Sequence, residues 1–400
     1  MQAFEWSLKT KIIYINDFSQ PGKILKGMGK RCSLITSPSY SLTGKFQSIT
    51  NALVKNLKDN GIEATVFSTV TPHPKTELID ELAKEVYKTK PGFLIALGGG
   101  SVMDATKAIA LLQKNEGPIW DYTYKGPGLE MKKFNSATPV VCIPTIAATG
   151  SEANSYAVLT HNDPIHGPTK STLFGDALQP VIAILDPSLT TSLSFEQTRD
   201  SAFDIVCHAL ETYFSTEETS PLVDNLSFSI VKSVFESLEI LQKNPSDLKA
   251  RGDMMYASTL ALCGILNGRD GHWPLHAIEH GISASTDISH GRGLAFLLPR
   301  LLKFQMPLVK NKFDHLNAAV FLNKSETLFS FMKKMGALYS WSDLGISEAN
   351  LSTTVDKTIS HCLRVDGVHE KSKTNAYLKN ITPLFSKDIE TILMYSPSEI

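Results

Sequence analysis

The sequence predicts an α/β domain with a Rossmann-like parallel sheet over residues 1–187, followed by an all-α domain over residues 188–400. Three observations support this prediction. The chain has 400 residues, which is more than one hydrophobic core usually covers. Its first part alternates short apolar runs with amphipathic segments, as βαβ units do. After Asp186 and Pro187 the strand-like runs stop, and long helical patterns follow.

In the first part, five short apolar runs are strand candidates, and amphipathic segments between the first three are helix candidates. The strand candidates are the short apolar runs RCSLIT, EATVFSTV, GFLIALGGG, ATPVVCIPT and VIAILDP. The helices between the first three have apolar residues at helical spacing: GKFQSITNALVKNLKDNG and KTELIDELAKEVYKTK. Gly61 is placed to end the first of these helices, because glycine is common just after a helix. The β-α-β-α-β order predicts a parallel sheet covered by helices.

The second part has helical patterns along most of its length. The segments that carry this pattern are VDNLSFSIVKSVFESLEILQK, MMYASTLALCGILN, TTVDKTISHCLRV and SKDIETILMY. We therefore expect no second sheet there.

Composition and charge exclude several classes of protein. The formal net charge is -1 without a long basic block, so we expect no binding to nucleic acid. The most apolar stretches are too short to cross a bilayer. The first residues contain charges throughout, and the five cysteines form no CxxC pair. These features predict a cytoplasmic protein with free thiols.

A glycine loop separates the third strand from the helix that follows it. Gly98, Gly99, Gly100 and Ser101 let the backbone turn sharply and approach a ligand, and the helix N-terminus then offers free N–H groups to an anion such as a pyrophosphate. A tight turn without a ligand is the alternative. Ser101 and Asp104 also have the spacing of a helix capping pair.

One carboxylate and several histidines have the spacing of metal ligands. Asp204 and His208 are four residues apart. His272, His276 and His280 repeat that spacing, and His290 follows after a short interval. On a helix, residues four apart share one face. Such a set suits a divalent first-row metal such as Fe²⁺ or Zn²⁺. The alternative for each histidine alone is a hydrogen-bonded core or surface residue.

The stretch from His276 to His280 also matches the H-x-x-E-H pattern of some zinc peptidases. In that interpretation His276 and His280 bind zinc and Glu279 activates a water molecule. It leaves Asp204, His208, His290 and the glycine loop without a role, so we rank it below the larger metal set.

These segments together resemble the iron-containing (group III) alcohol dehydrogenase family. ALGGGSVMDATKAIA is similar to its GGGSxxDxxK cofactor loop, and IPTIAATGSEAN is similar to its IPTTAGTGSE segment. AILDPSLTTSL, DIVCHALETY and HAIEHGISASTDISHGRGLAFLLP follow in the family's order. The WPLHAIEH context resembles most the butanol-dehydrogenase-like, NADPH-dependent aldehyde reductase branch. The resemblance covers essentially the whole chain and implies a dehydroquinate synthase-like architecture.

The resemblance also implies a ligand set and a reaction. The metal, Fe²⁺ in preference to Zn²⁺, is expected on Asp204, His208, His276 and His290. His280 is expected beside the nicotinamide, either in the proton path or in a positional role. His272 matches no family position, so a structural or cleft-edge role is favoured for it. The implied reaction is hydride transfer between NAD(P)H and a small aldehyde or primary alcohol, in a homodimer.

For the cofactor, the resemblance implies further positions. Gly98, Gly99, Gly100, Ser101 and Asp104 belong to the pyrophosphate loop. Thr145 and Thr149 line the nicotinamide side, Lys170 contacts the ribose, and His73 lies either near the adenine or in a plain turn. Ser37 ends a strand where NAD-preferring members often carry an aspartate, and a neutral serine favours NADP(H) over NAD(H).

Three features leave the substrate open. Ala148 stands where the family usually has glycine, and SAFD stands where many members have TGMD. The segment THNDPIHGPTKSTLFGD is also unusual for the family and is expected near the cleft. A second enzyme class with this design, the metal- and NAD-dependent cyclising lyases typified by dehydroquinate synthase, needs several basic residues around a phosphorylated substrate. The metal-flanking segments offer chiefly Arg269 and Arg292, so we rank that class lower.

Overall fold

The computed structural model describes residues 4–39, 44–321, 325–368 and 376–400, with only the backbone described at positions 44 and 45. Its strands are β1 Lys11–Tyr14, β2 Arg31–Thr36, β3 Glu63–Phe67, β4 Phe93–Gly98, β5 Val140–Pro144, β6 Tyr156–Asp163, β7 Gly167–Phe174 and β8 Ile182–Leu185.

The α-helices fall into two groups. Those among the strands are α1 Pro21–Ile24, α2 Gly44–Asp59, α3 Thr76–Lys88 and α4 Gly100–Leu112. Those that follow the last strand are α5 Phe195–Phe214, α6 Pro221–Lys243, α7 Leu248–Leu262, α8 Pro274–Ser285, α9 His290–Phe321, α10 Leu328–Lys334, α11 Glu348–Val365 and α12 Ser386–Met394.

The predicted fold class is confirmed. Six strands form a parallel sheet in the order β1-β8-β5-β4-β2-β3, and helices follow it. All five predicted strands are present, and Gly61 has the positive φ of +80° expected of a residue just after a helix. The exact division of the chain at residue 188 stays a prediction.

Two features were not predicted. One is the edge strand β1, which has only four residues and too short a pattern to be recognised. The other is the antiparallel hairpin of β6 and β7, whose sequence contains prolines and many polar residues. The hairpin packs on α4 at one side and on α8 at the other. It therefore connects the sheet region to the helical region.

Both faces of the sheet are covered, as a parallel sheet requires. Along β4, Leu94 and Ala96 belong to one hydrophobic core, while Phe93, Ile95 and Leu97 belong to the core on the opposite face. A third core lies among the helices and includes side chains of β8. Within the described ranges, no helix has the length and apolar composition of a membrane span.

The strand order reverses at β2, because β3 lies on one side of β2 and β4 lies on the other. A crevice forms outside the carboxyl ends of the strands at such a point and is the usual ligand site of open α/β sheets. The register pairs Thr36 with Leu97. Ser37 and Gly98, the next residues along the two strands, therefore meet at this crevice.

Candidate functional site

A cleft of about 1360 Å³ begins at this crevice and continues toward the helical region. Its walls contain nearly all the residues predicted for cofactor and metal: Ser37, Gly98, Gly99, Gly100, Ser101, Asp104, Thr145, Thr149, Lys170, His208, His276, His280 and His290. Asp204 lies just behind this surface and is 2% exposed.

Gly98 and Gly100 of the glycine loop lie too close to neighbouring side chains to carry a Cβ. A Cβ on Gly98 would lie 2.6 Å from Cγ2 of Val102, and a Cβ on Gly100 would lie 2.7 Å from Cγ2 of Thr149. Gly99 is the N-cap of α4 and provides no side-chain cap. The first N–H groups of the helix are therefore available to an anion in the cleft.

The predicted capping pair of Ser101 and Asp104 is wrong. The two oxygens of Asp104 accept hydrogen bonds from Ser151 Oγ at 2.7 Å and from the Val158 N–H at 2.8 Å. Burial raises the pKa of the Asp104 carboxyl, and nearby Lys107 opposes this effect. Asp104 thus anchors the loop before β6 and the strand itself, and its predicted role toward the cofactor stays a prediction.

The threonines predicted beside the nicotinamide are part of the same wall. The Thr145 N–H donates to the carbonyl of Gly98 at 3.0 Å, which ties the loop after β5 to the end of β4. Thr149 Oγ1 accepts from the Ser151 N–H at 3.3 Å. Across the crevice, Ser37 Oγ is 2.8 Å from Ser39 Oγ.

Lys170 is a buried cation in β7. Its Nζ donates to Ser283 Oγ at 2.7 Å, and its backbone N–H donates to His361 Nε2 at 3.0 Å. Burial lowers the pKa of the Lys170 amine below its usual value, although nearby Glu279 opposes this effect. Sequence reasoning missed His361, because its contact joins residues 191 positions apart.

His361 should make the protein less stable in acid. Burial, with Arg364 and Lys170 nearby, lowers its pKa from 6.5 to about 3. Below pH 6.5 the unfolded chain therefore binds a proton that the folded protein excludes, and the free energy of unfolding falls by up to about 1.4 kcal/mol per pH unit. His361→Gln, which can still accept from Lys170, should flatten this part of the dependence measured by denaturant unfolding. An identical slope in both proteins would disprove this assignment.

The predicted metal ligands converge from three helices. Asp204 is on α5, His276 is on α8 and His290 begins α9. One candidate ligand atom of each lies within 4.8 Å of the others. His208, one turn after Asp204, is adjacent: its Nδ1 is 3.4 Å from Asp204 Oδ1, and its ring stacks on His276 with 4.7 Å between centroids.

The polar atoms of this group fit a divalent cation. Among the residues that the structure describes, Asp204 Oδ1, His208 Nδ1 and His276 Nε2 are buried without a hydrogen-bond partner. Leaving a buried polar atom unpaired is costly. One carboxylate oxygen and imidazole nitrogens are the donors that Fe²⁺ and Zn²⁺ accept. A metal bound by the group of Asp204, His276 and His290 would satisfy Asp204 Oδ1 and His276 Nε2, and His208 Nδ1 lies beside it, 3.4 Å from Asp204 Oδ1.

The pKa values of these candidate ligands shift in different directions. Burial raises the pKa of the Asp204 carboxyl, although His290 and His276 oppose it. Burial and the nearby His276 hold the pKa of His208 well below its usual value, so this imidazole is neutral and able to bind a metal. Burial lowers the pKa of His276, but Glu211 more than compensates and holds it above its usual value.

Two buried glutamates contact histidines that the sequence predicts as metal ligands. His276 Nδ1 donates to Glu211 Oε2, and His290 Nδ1 donates to Glu279 Oε2. The sequence interpretation gave Glu211 no role. It gave Glu279 the role of a base in the H-x-x-E-H pattern, but here the glutamate carboxylate is engaged by His290.

A second possible metal group shares His290 with the first. Glu279, His280 and His290 also offer atoms within 4.8 Å of one another. Glu279 Oε2 is already hydrogen-bonded to His290. Burial raises the pKa of Glu279, but His290 and Lys170 more than offset that effect and lower it. Among the described residues, the group with Asp204 has two buried atoms without a partner, Asp204 Oδ1 and His276 Nε2, whereas the second group has one, Glu279 Oε1. The group with Asp204 is therefore the better site.

The remaining histidines have distinct positions. His280 is 9% exposed, and burial, then Lys170, hold its pKa well below the usual value. His73 adopts a turn conformation with φ of +53°, and its Nε2 is 3.1 Å from the carbonyl of Ile288. His272 is anchored through its backbone N–H, which donates to Ser215 Oγ at 2.7 Å.

The fold and the cleft define a two-part protein with a nucleotide-type crevice that leads to a metal-type cluster. The family model described as iron-containing alcohol dehydrogenase matches residues 10–187. The model described as Fe-containing alcohol dehydrogenase family, C-terminal, matches residues 198–377. The chain belongs to the iron-containing alcohol dehydrogenase family.

Individual relatives agree with the family. The chain is 32% identical over 308 residues to NADH-dependent butanol dehydrogenase B of Clostridium acetobutylicum, covering 76% of each chain. It is 30% identical over 266 residues to the NADPH-dependent aldehyde reductase YqhD of Escherichia coli, covering 66% of this chain and 65% of the relative. The crystal structure of NADH-dependent butanol dehydrogenase A from Thermotoga maritima aligns with a TM-score of 0.86 at 29% identity over 98% of each chain.

These findings confirm the predicted resemblance and the predicted class of enzyme, an NAD(P)-dependent alcohol dehydrogenase or aldehyde reductase. They do not favour the cyclising lyase or the zinc hydrolase.

Proposed function

We propose that this enzyme reduces small aldehydes to primary alcohols, and catalyses the reverse reaction, with NADP(H) and a metal held by Asp204, His208, His276 and His290. Fe²⁺ is the preferred metal, and Zn²⁺ is accepted by the same ligands. The observation that carries the proposal is the set of unpaired, buried ligand atoms at the inner end of the cleft that begins at the glycine loop.

The residues divide the work along the cleft. The glycine loop and the N-terminus of α4 bind the pyrophosphate, Thr145 and Thr149 orient the nicotinamide, and Lys170 holds the ribose. The cofactor, when bound, supplies the hydride. The metal, when bound, supplies a Lewis acid that polarises the substrate oxygen. The protein contributes orientation and keeps water from the reacting atoms.

We assign the transfer of a proton toward the product oxygen to His280. Its low pKa keeps the imidazole neutral, so one ring nitrogen carries a hydrogen and the other accepts one. A neutral imidazole in this state passes a proton toward the product oxygen by donating one hydrogen and accepting another. A purely orienting role for His280 would instead preserve the pH dependence of the rate in a His280→Gln variant.

The lyase alternative needs free basic residues for a phosphorylated substrate. Arg269 Nη1 is 3.0 Å from Asp224 Oδ1, and Arg292 Nε is 2.9 Å from Asp200 Oδ2. Both arginines named by the sequence are therefore paired with carboxylates. This pairing favours the oxidoreductase.

Aldehyde-dependent oxidation of NADPH and NADH tests the proposed function. We expect no turnover by metal-free protein, turnover after Fe²⁺ loading, and the highest kcat/KM with short unbranched aldehydes. Turnover that is equal with and without metal would contradict the proposal.

Ser37→Asp should reverse the cofactor preference. An aspartate at the end of β2 would repel the 2′-phosphate of NADPH and accept hydrogen bonds from the ribose hydroxyls of NADH. We expect the Kd for NADPH to rise at least about tenfold, while the Kd for NADH falls. Ser37→Asn is the neutral control of matching size. Unchanged NADPH binding by Ser37→Asp, measured by fluorescence titration, would contradict the placement of Ser37, and a wild-type preference for NADH would contradict the NADP(H) proposal.

A further inference from the structure

Each of two proposed metal ligands is backed by a buried glutamate from another helix. We propose that Glu211 and Glu279 are positioning residues that orient His276 and His290 for the metal and raise the affinity of the protein for it. This inference rests on the metal site of the proposed function. It replaces the base role that the H-x-x-E-H pattern gives Glu279.

Glu211 holds His276 at two points. It is on α5, three residues after His208, and is 5% exposed. Its Oε2 accepts from His276 Nδ1, and its Oε1 accepts from the backbone N–H of His276 at 3.1 Å. The same carboxylate thus accepts from a backbone N–H in the first turn of α8 and sets the orientation of the His276 ring. The helix that carries Asp204 also aligns His276.

Glu279 does the same for His290, and the structure makes room for it. Glu279 is on α8, is fully buried and accepts from His290 Nδ1 through Oε2. On α9, one turn after His290, a Cβ at Gly293 would lie 2.9 Å from Cγ of Glu279. Glycine at that position leaves the space that the Glu279 side chain occupies.

The two contacts form a connected series from α5 to α8 to α9, the three helices that carry the ligands. A carboxylate only accepts hydrogen bonds, so the hydrogen of each neutral imidazole resides on Nδ1 and the lone pair on Nε2. In His276, Nε2 is the nitrogen without a partner in the described part of the chain. The glutamates therefore aim the correct nitrogen at the site before a metal binds. Such partners typically contribute about 10- to 100-fold to metal affinity.

The test measures Co²⁺ affinity of the metal-free full chain by competition with a chelating dye. Glu211→Gln and Glu279→Gln keep the size of each side chain and remove its charge. We expect each variant to bind Co²⁺ about 10- to 100-fold more weakly than wild type. Asp224→Asn is the matched control, because Asp224 is a buried carboxylate of the helical region that pairs with Arg269 at 3.0 Å. Its Co²⁺ affinity should not change.

A second measurement uses only the wild-type protein, so it does not require that any variant folds. Long-range ¹H–¹⁵N spectra of wild-type, metal-free protein, recorded at alkaline pH where imidazoles are neutral, should show His276 and His290 with the hydrogen on Nδ1. A hydrogen on Nε2 of either ring would overturn the inference for that residue. If wild type binds Co²⁺ tightly and both glutamine variants bind it equally well, the positioning role of the glutamates is wrong, while the proposed metal site stands. No Co²⁺ binding by wild type would overturn the proposed metal site as well.

Discussion

Asp204→Ala should lose the metal and the activity together. Asp204 is the one carboxylate among the proposed ligands, and its charge is the main compensation for burying a divalent cation. Polarisation of the substrate oxygen by a metal is worth several kcal/mol. We therefore expect kcat/KM to fall at least about 10³-fold, which corresponds to roughly 4 kcal/mol. Metal content by mass spectrometry should fall in parallel.

The fold should survive this substitution. In metal-free protein the Asp204 carboxyl is buried with an unpaired oxygen, so its removal relieves a cost and the free energy of unfolding should not decrease. Asp200→Asn, one turn earlier on α5, is the control, because Asp200 pairs with Arg292. This substitution should lower the free energy of unfolding while the protein retains the metal. Metal retained with full activity in Asp204→Ala would disprove the ligand assignment.

Gly100→Ala should weaken nucleotide binding without affecting the metal. The added Cβ would lie 2.7 Å from Cγ2 of Thr149. The helix α4 or the loop after β5 must then move, at the place where we propose that the pyrophosphate binds. Overpacking of this kind costs about 1–3 kcal/mol. We expect the Kd for NADPH to rise about 10- to 100-fold in a fluorescence titration.

Gly92→Ala is the matched control at the opposite end of β4. A Cβ there would lie 3.6 Å from its nearest neighbours, an ordinary contact distance, so NADPH binding should not change. Equal Kd values for wild type and Gly100→Ala would show that the nucleotide does not approach this loop.

The elements that sequence analysis predicts well are those with strong local patterns. The apolar runs of β2, β4 and β5 are buried on both faces, and the spacing of Asp204 with His208 places both on one face of α5. His276 and His290 could be assigned to the same site because the family resemblance relates distant segments. Spacing alone indicated a metal set but left open which of the four histidines between positions 272 and 290 belong to it.

The errors and omissions concern contacts between segments that are far apart in the chain. Asp104 has the spacing of a capping residue, but Ser151 and Val158 bind it instead, 47 and 54 positions away. The partners of His276 and Lys170 depend on how α5 and α11 pack against α8 and β7. No local pattern reports that packing, so Glu211 and His361 carry no recognisable sequence signal.

Glu279 was the most informative disagreement. The H-x-x-E-H pattern places a carboxylate beside two histidines, and the structure does so as well. What the pattern cannot show is that α9 brings His290 to that carboxylate. The hydrogen bond from His290 is the reason that we propose Glu279 as a positioning residue for a metal ligand and not as a base.

The central claim is that one metal lies between Asp204 and the histidines at the inner end of the nucleotide cleft. Anomalous diffraction at the iron edge from Fe²⁺-loaded crystals, grown anaerobically, tests it most directly. The account predicts one peak at about 2.0–2.2 Å from a carboxylate oxygen of Asp204 and from a nitrogen of His208, His276 and His290. A peak bound instead by Glu279 and His280, or no peak near Asp204, would contradict the account.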